Sequence, residues 1–267
     1  MAVTSTRRAI VRIPASGDAV SRPDDLAVEA PLVLGLDNAG GEAIATLMRT
    51  PGHDLELAAG WLTVESGVAA ADDVVTLREC REDDTDRVHI TLADGVRPPR
   101  PRAFVTSAAC GVCSADVLDL SLLRRAAPHP PGWTVRRDVL AALPDAMRQR
   151  QRTFDRTGGL HAAALATTGG ELLSVREDVG RHNAVDKVVG RALLDGLLPA
   201  AGLLLVVSGR VSFEIVQKAV AASVAGIVAV SAPSSLAVDL ARDYDLLLAG
   251  MVRDGRLNLY AGAALVA

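Results

Sequence analysis

Cys110-Gly111-Val112-Cys113 is the sharpest chemical feature of the sequence. Two thiols at this spacing serve zinc ligation, thiol–disulfide exchange, nucleophilic or sulfur-carrying chemistry, or nothing. A structural zinc site takes four ligands, commonly two such pairs or added histidines. The third cysteine, Cys80, has no partner at metal spacing, and His129, His161 and His182 are scattered. A thioredoxin-type pair is expected at a helix start early in a small domain, whereas this one follows a proline-rich linker at mid-chain. A reactive thiol fits a glycine-containing loop, a following helix N-terminus and the neighbouring Arg100, Arg102 and Arg124, since helix N-termini and cations lower a thiol pKa. Two inert cysteines are the bland alternative, and all four readings stand at this point.

Other polar constellations fall in the second half. Thr157-Gly158-Gly159-Leu160-His161 is a glycine turn that delivers a histidine to a strand start. A cytidine-deaminase site would need His-x-Glu before Pro-Cys-x-x-Cys. Here Ala162 and Ala163 follow His161 and the order is reversed, so deaminase chemistry is rejected. The run Arg176–Lys187 is denser in polar residues than a helix entry requires. Asp178, His182 and Asp186 recur every four residues, which on one helix would make a carboxylate–imidazole–carboxylate row; capping and surface ion pairs are the plain alternative.

Ser208-Gly209-Arg210 follows a buried apolar run and opens a helix, and Ser231-Ala232-Pro233-Ser234-Ser235 repeats that grammar one unit later. Free N–H groups, Ser or Gly, and an Arg at helix starts suit phosphate. Neither segment matches a Walker or dinucleotide fingerprint. As a pair on adjacent strand ends they predict a nucleotide or dinucleotide cleft. Met251-Val252-Arg253-Asp254-Gly255-Arg256 is a turn that could hold another phosphate or be a charged hairpin.

These residues need elements to hold them. The first ~100 residues read mostly as strands: Arg8–Ile13, Ala27–Gly35, Glu42–Arg49, and a pair Val74–Arg78 and Val88–Leu92. A helix over 53–65 interrupts them. Three prolines between Arg97 and Arg102 favour extended chain. Helices are expected over 115–124 and 136–151. From Leu160 strands and helices alternate, with strands at 161–167, 171–176, 202–207, 227–231, 246–251 and 257–260 and helices at 180–194, 212–224 and 234–242. That pattern predicts an α/β three-layer sandwich with some parallel strands, whose ligands bind beyond the strand carboxyl ends. The expected division is an N-terminal arm at 1–25, a smaller β-rich N-terminal lobe at 26–102, the Cys-x-x-Cys loop and following helix at 103–135, and an α/β core at 136–267. The small residues of 103–114 offer little burial to offset backbone ordering, so that loop is expected to be mobile.

Composition sets the limits. The 267 residues are 49% hydrophobic and 22% charged, which excludes wholesale disorder. Aromatics at 3% and a net charge of −4 argue against a nucleic-acid partner. Residues 97–156 nonetheless carry a surplus of Arg over Asp, a basic segment around the thiols. The apolar runs Ala200–Val207 and Ala219–Val230 fall short of the ~18–20 residues that span a bilayer. The reading is a cytoplasmic protein with no membrane partner.

Taken together and in order, Cys110–Cys113, Thr157–His161, Glu177–Lys187, Ser208–Glu214 and Ser231–Ser235 resemble the formate dehydrogenase accessory proteins, the FdhD/NarQ family of sulfurtransferases, from about residue 26 to the C-terminus. The resemblance implies a sulfur carrier that takes persulfide sulfur from a cysteine desulfurase. It passes that sulfur to molybdenum cofactor, as bis-molybdopterin guanine dinucleotide, for formate dehydrogenase. It implies a cytidine-deaminase-like fold without the deaminase zinc, a homodimer, and binding of GDP-like ligands. Cys110 matches the persulfide-forming cysteine and Cys113 its companion. Met251–Arg256 lies where the family contacts the guanine dinucleotide, with Met251 in place of an expected aromatic. Ser208, Gly209, Arg210, Ser231, Ser234, Ser235, His161 and His182 complete the expected binding set. A cofactor-binding chaperone and a thiol–disulfide redox protein are the alternative functions.

Overall fold

A computed structural model of the chain describes residues 2–99, 105–106 and 129–267. Cys110, Cys113, most of the expected 103–114 loop and the expected helix at 115–124 lie outside the described residues. The fold is mixed α/β, with a six-stranded sheet, a five-stranded sheet and a hairpin.

The six-stranded sheet is built from β8 (His161–Ala166), β9 (Leu172–Asp178), β10 (Leu204–Val207), β11 (Gly226–Ala229), β12 (Leu247–Arg253) and β13 (Arg256–Ala261). Its order is β13-β12-β11-β10-β8-β9. Strands β10, β11 and β12 run parallel, and β8 and β13 flank them antiparallel. These strands read as unbroken apolar runs because both faces are covered. Ala163, Leu165, Leu205, Val207, Ile227 and Leu248 face helices α4 (Arg181–Leu194), α5 (Phe213–Ala221) and α6 (Ser235–Asp243). Their neighbours Ala162, Ala164, Leu204, Val206, Val228 and Leu247 face α2 (Arg137–Arg148). Each fully buried Leu or Val side chain contributes about 1.5–3 kcal/mol. The helix expected over 136–151 stops at Arg148 and a short α3 (Arg152–Thr157) follows. Glu177 accepts from the N–H groups of Thr153 and Phe154 at 3.0 and 2.7 Å, satisfying the start of α3.

The five-stranded sheet, order β5-β6-β3-β4-β7, comprises β3 (Ala30–Leu36), β4 (Glu42–Arg49), β5 (Val74–Glu82), β6 (Thr85–Leu92) and β7 (Val105–Thr106). Its inner face carries Leu32, Leu34, Val88 and Ile90 against α1 (Asp54–Glu65). Helices α1 and α4 lie against each other between the two sheets. Ahead of these elements, β1 (Ser5–Arg12) pairs with β2 (Val20–Ala27). The strand expected over 27–35 begins at Ala30, and β2 was missed because Val-Ser-Arg-Pro-Asp-Asp has no apolar alternation. Among the described residues no helix is long and apolar enough to cross a membrane.

Buried ion pairs stitch the layers. Arg49, with no exposed surface, donates to both oxygens of Asp54 and to Asp86. Asp178, at the end of β9, pairs with Lys187 of α4 at 2.7 Å, and Asp186 pairs with Lys218 of α5 at 2.6 Å.

Candidate functional site at the strand carboxyl ends

Parallel β10, β11 and β12 end at one edge of the sheet, and antiparallel β8 begins there, so His161, Ser208 and Ser231 share it. The loops after β10 and β11 are knitted together. Val211 N–H donates to Ala232 O at 3.2 Å and Ser234 N–H to Val211 O at 2.9 Å. Met251 N–H donates to Ser231 O at 3.2 Å, which draws the last predicted segment onto the same rim. The N-termini of α4, α5 and α6 open here, adding their positive dipole ends.

Gly209 lets His161 lie against the loop: a Cβ there would stand 3.3 Å from His161 Nδ1. Ser208 Oγ accepts from Ala162 N–H at 2.9 Å, and Ser234 Oγ accepts from Ala237 N–H, capping α6. Those two hydroxyls therefore shape the rim before they can serve a ligand. Ser235 and Arg210 are exposed beside them. Ser212, the N-cap residue of α5, makes no side-chain cap, and its Oγ instead lies 3.3 Å from His182 Nε2. Glu214 Oε2 is 3.0 Å from the same nitrogen. Arg181 begins α4, and its Nε is buried with no hydrogen-bond partner. Ser212, Glu214 and Arg181 did not stand out as binding residues in the sequence. They meet His182 only where the N-termini of two helices come together.

The expected Asp178–His182–Asp186 row does not form. Asp178 ends β9 rather than entering α4. Asp178 and Asp186 are buried at 0% and 3% exposure and turn to Lys187 and Lys218, leaving His182 alone on the rim. Much of the polar density in Glu177–Lys187 is therefore structural. The expected turn at 251–256 is also redistributed. Met251 is exposed with a φ of 54°, at a bulge in β12, and Val252 is packed in the core at 1% exposure. The tip is the two-residue turn Asp254-Gly255, both at positive φ. It lies beside the α2 N-terminus, where Arg137 and Asp138 line an open groove of about 680 Å³ with Gly255.

The two histidines are held neutral. Burial pushes the His182 pKa down to about 3, and Lys218, Arg181 and His161 add to the effect. Glu214 alone would favour the imidazolium, but a neutral ring satisfies that contact by donating its Nε2–H. His161 is lowered by burial and by Arg181 and Arg210, against a raising influence from Asp178. The unfolded chain takes up a proton at His182 near pH 6.5 and the folded chain only near 3. Stability contributed by the neutral ring is present above pH 6.5 and is lost as pH falls toward 3. His182→Gln should therefore flatten the acid limb of stability against pH, by up to about 1.4 kcal/mol per pH unit. Urea unfolding between about pH 6 and 4 measures it; parallel limbs for the variant and the parent would refute it.

Cationic Arg181 and Arg210, three helix N-termini and two neutral imidazoles on one rim suit a polyanionic, phosphate-bearing ligand. The fold and this rim define a class: a mixed α/β protein whose parallel strands end at a rim of helix N-termini with Arg181, Arg210, His161 and His182. The chain belongs to the FdhD/NarQ family, whose profile matches residues 27–267. It is 46% identical over 265 residues to the sulfur carrier protein FdhD of Nocardia farcinica, covering 97% of this chain and 94% of that one. To the Streptomyces coelicolor protein of the same name it is 47% identical over 280 residues, covering 100% and 97%. A solved structure from Desulfotalea psychrophila, described as a formate dehydrogenase accessory protein, has a similar fold. Its TM-score is 0.80 at 22% identity, over 99% of this chain and 100% of that one.

Proposed function

We propose that this protein is a sulfur carrier that moves persulfide sulfur from a cysteine desulfurase to molybdenum cofactor destined for formate dehydrogenase. The acceptor is bis-molybdopterin guanine dinucleotide, a large polyanion. The observation that carries the reading is the rim itself: Arg181 Nε buried and unpartnered, with Arg210 and three helix N-termini at the same edge. The names of the curated relatives support the sulfur half of the reading. In the first step the Cys110 thiolate attacks the outer sulfur of the desulfurase persulfide. An S–S bond forms as another breaks, and the desulfurase thiolate leaves. Release of that sulfur at the sulfide level takes two electrons. Cys113 supplies them by attacking Cys110 Sγ, which leaves a Cys110–Cys113 disulfide for later reduction. Ser208–Arg210, Ser231, Ser234 and Ser235 with His161 and His182 seat the guanine dinucleotide, with Met251 on the same rim and Arg253–Arg256 of the following turn as further contacts. A cytidine-deaminase-like fold and a homodimer belong to the same proposal.

Three measurements test it. Incubation with a desulfurase and cysteine should add one sulfur, about +32 Da, at Cys110. Cys110→Ser should abolish support of formate dehydrogenase activity while still binding GDP. Full activity from that variant would instead favour a cofactor-binding chaperone, and a disulfide with no sulfur adduct would favour a redox protein. Arg210→Ala should weaken GDP binding by about 1.5–3 kcal/mol, the worth of a charge-assisted phosphate contact. Calorimetry with unchanged affinity would remove Arg210 from the site.

A further inference from the structure

The outer face of the five-stranded sheet brings together three donors of different chemistry. Antiparallel pairing of β5 with β6 sets Cys80 opposite Arg87 and Glu82 opposite Thr85, and His89 follows two residues after Arg87 on the same face. Their inner neighbours Val88 and Ile90 are in the core, so alternation turns Arg87 and His89 outward. Cys80 Sγ is 3.4 Å and His89 Nε2 3.0 Å from Glu82 Oε1, and the three ligand atoms all lie within 4.8 Å of one another. His89 Nδ1 is 2.8 Å from Asp37 Oδ1, just beyond β3. That carboxylate accepts the Nδ1–H and leaves Nε2 as the ligating nitrogen, the arrangement that commonly orients a metal-binding histidine. Arg87 Nε holds the other oxygen of Glu82 at 3.1 Å, so Glu82 offers Oε1 alone.

We propose that Cys80, Glu82 and His89 form a binding site for a divalent transition ion of the zinc class, oriented by Asp37. The donor set of thiolate sulfur, imidazole nitrogen and carboxylate oxygen suits zinc, and three protein ligands leave a fourth position for water or an exogenous donor. Binding displaces the thiol proton of Cys80 and any proton on His89 Nε2, both released to solvent, so affinity rises with pH. Thiolate and carboxylate together offset the charge of the ion, and the Asp37 carboxylate balances the nearby Arg87. The site ties the β5–β6 tip to the end of β3. It is independent of the strand-end cleft and stands whether or not the sulfur-carrier reading holds.

Cobalt(II) titration of the full-length protein tests this, because a thiolate–cobalt bond gives a near-ultraviolet charge-transfer band. The parent protein and the Cys110→Ser/Cys113→Ser double variant should each show the band, saturating at one equivalent per chain and bleaching as zinc displaces cobalt. Cys80→Ser should lose it. His89→Gln should weaken binding at least tenfold, and Asp37→Asn about 10- to 100-fold with the band retained. The proposal is overturned if the parent shows no band, if the band survives Cys80→Ser, or if it vanishes in the double variant.

Discussion

Replacing Lys187 with methionine should cost about 3–5 kcal/mol of folding stability, because it strands a fully buried carboxylate. Asp178 has no exposed surface and Lys187 is 1% exposed. Asp178 accepts from Thr50 N–H at 3.1 Å, Gly180 N–H at 2.9 Å and Asn183 Nδ2 at 3.0 Å besides Lys187. Lys187 also donates to Thr50 O at 2.8 Å, and Asn183 to Met48 O at the same distance. The network therefore locks the end of β4, in one sheet, to the β9–α4 junction of the other. Arg181 and His182 follow that junction directly, so the same substitution should weaken GDP binding at the rim. Urea denaturation reads the stability change, and a loss under about 1 kcal/mol would show that the pair is not carrying the junction. Asp178→Asn in the Lys187→Met background should restore part of the loss, since the amide removes the uncompensated charge and keeps an oxygen to accept from the surrounding N–H groups.

Gly190→Ala and Gly60→Ala should each destabilise by at least about 3 kcal/mol, at the severe end of overpacking. In an isolated helix either change would help, by roughly 1 kcal/mol. The sign reverses because α1 and α4 touch backbone to backbone. A Cβ on Gly190 would lie 1.8 Å from Glu56 O, and one on Gly60 would lie 1.9 Å from Asp186 O. Neither obstacle is a side chain that can swing away, so the helices must separate, and α4 carries the rim residues. Thermal denaturation decides it: an unchanged or raised Tm for either variant would mean that the helices do not meet at these glycines.

Much was legible from the residues alone. Continuous apolar runs such as Leu204–Val207 and Gly226–Ala229 mark strands covered on both faces, whatever the fold around them. Ser208–Arg210 and Ser231–Ser235 are legible as strand-end loops because each sits between an apolar run and a helical period, both local patterns. The family is legible because five short motifs recur in order. Longer-range relations were not. Four-residue spacing allowed Asp178 to share one helix with His182 or to serve in capping and ion pairs, and pairing with His161 decides it by extending β9 to Asp178 and turning its carboxylate to Lys187. Gly60 and Gly190 look like two unrelated weak points until the helices cross. Cys80 has no ligand partner in sequence, because antiparallel pairing of β5 with β6, and parallel pairing of β6 with β3, supplies His89 and Asp37 from elsewhere in the chain. Local periodicity and motif order are set by covalent neighbours. Which charges are buried together, where backbones touch and which donors converge depend on packing between elements far apart in the chain, and only the tertiary structure decides them.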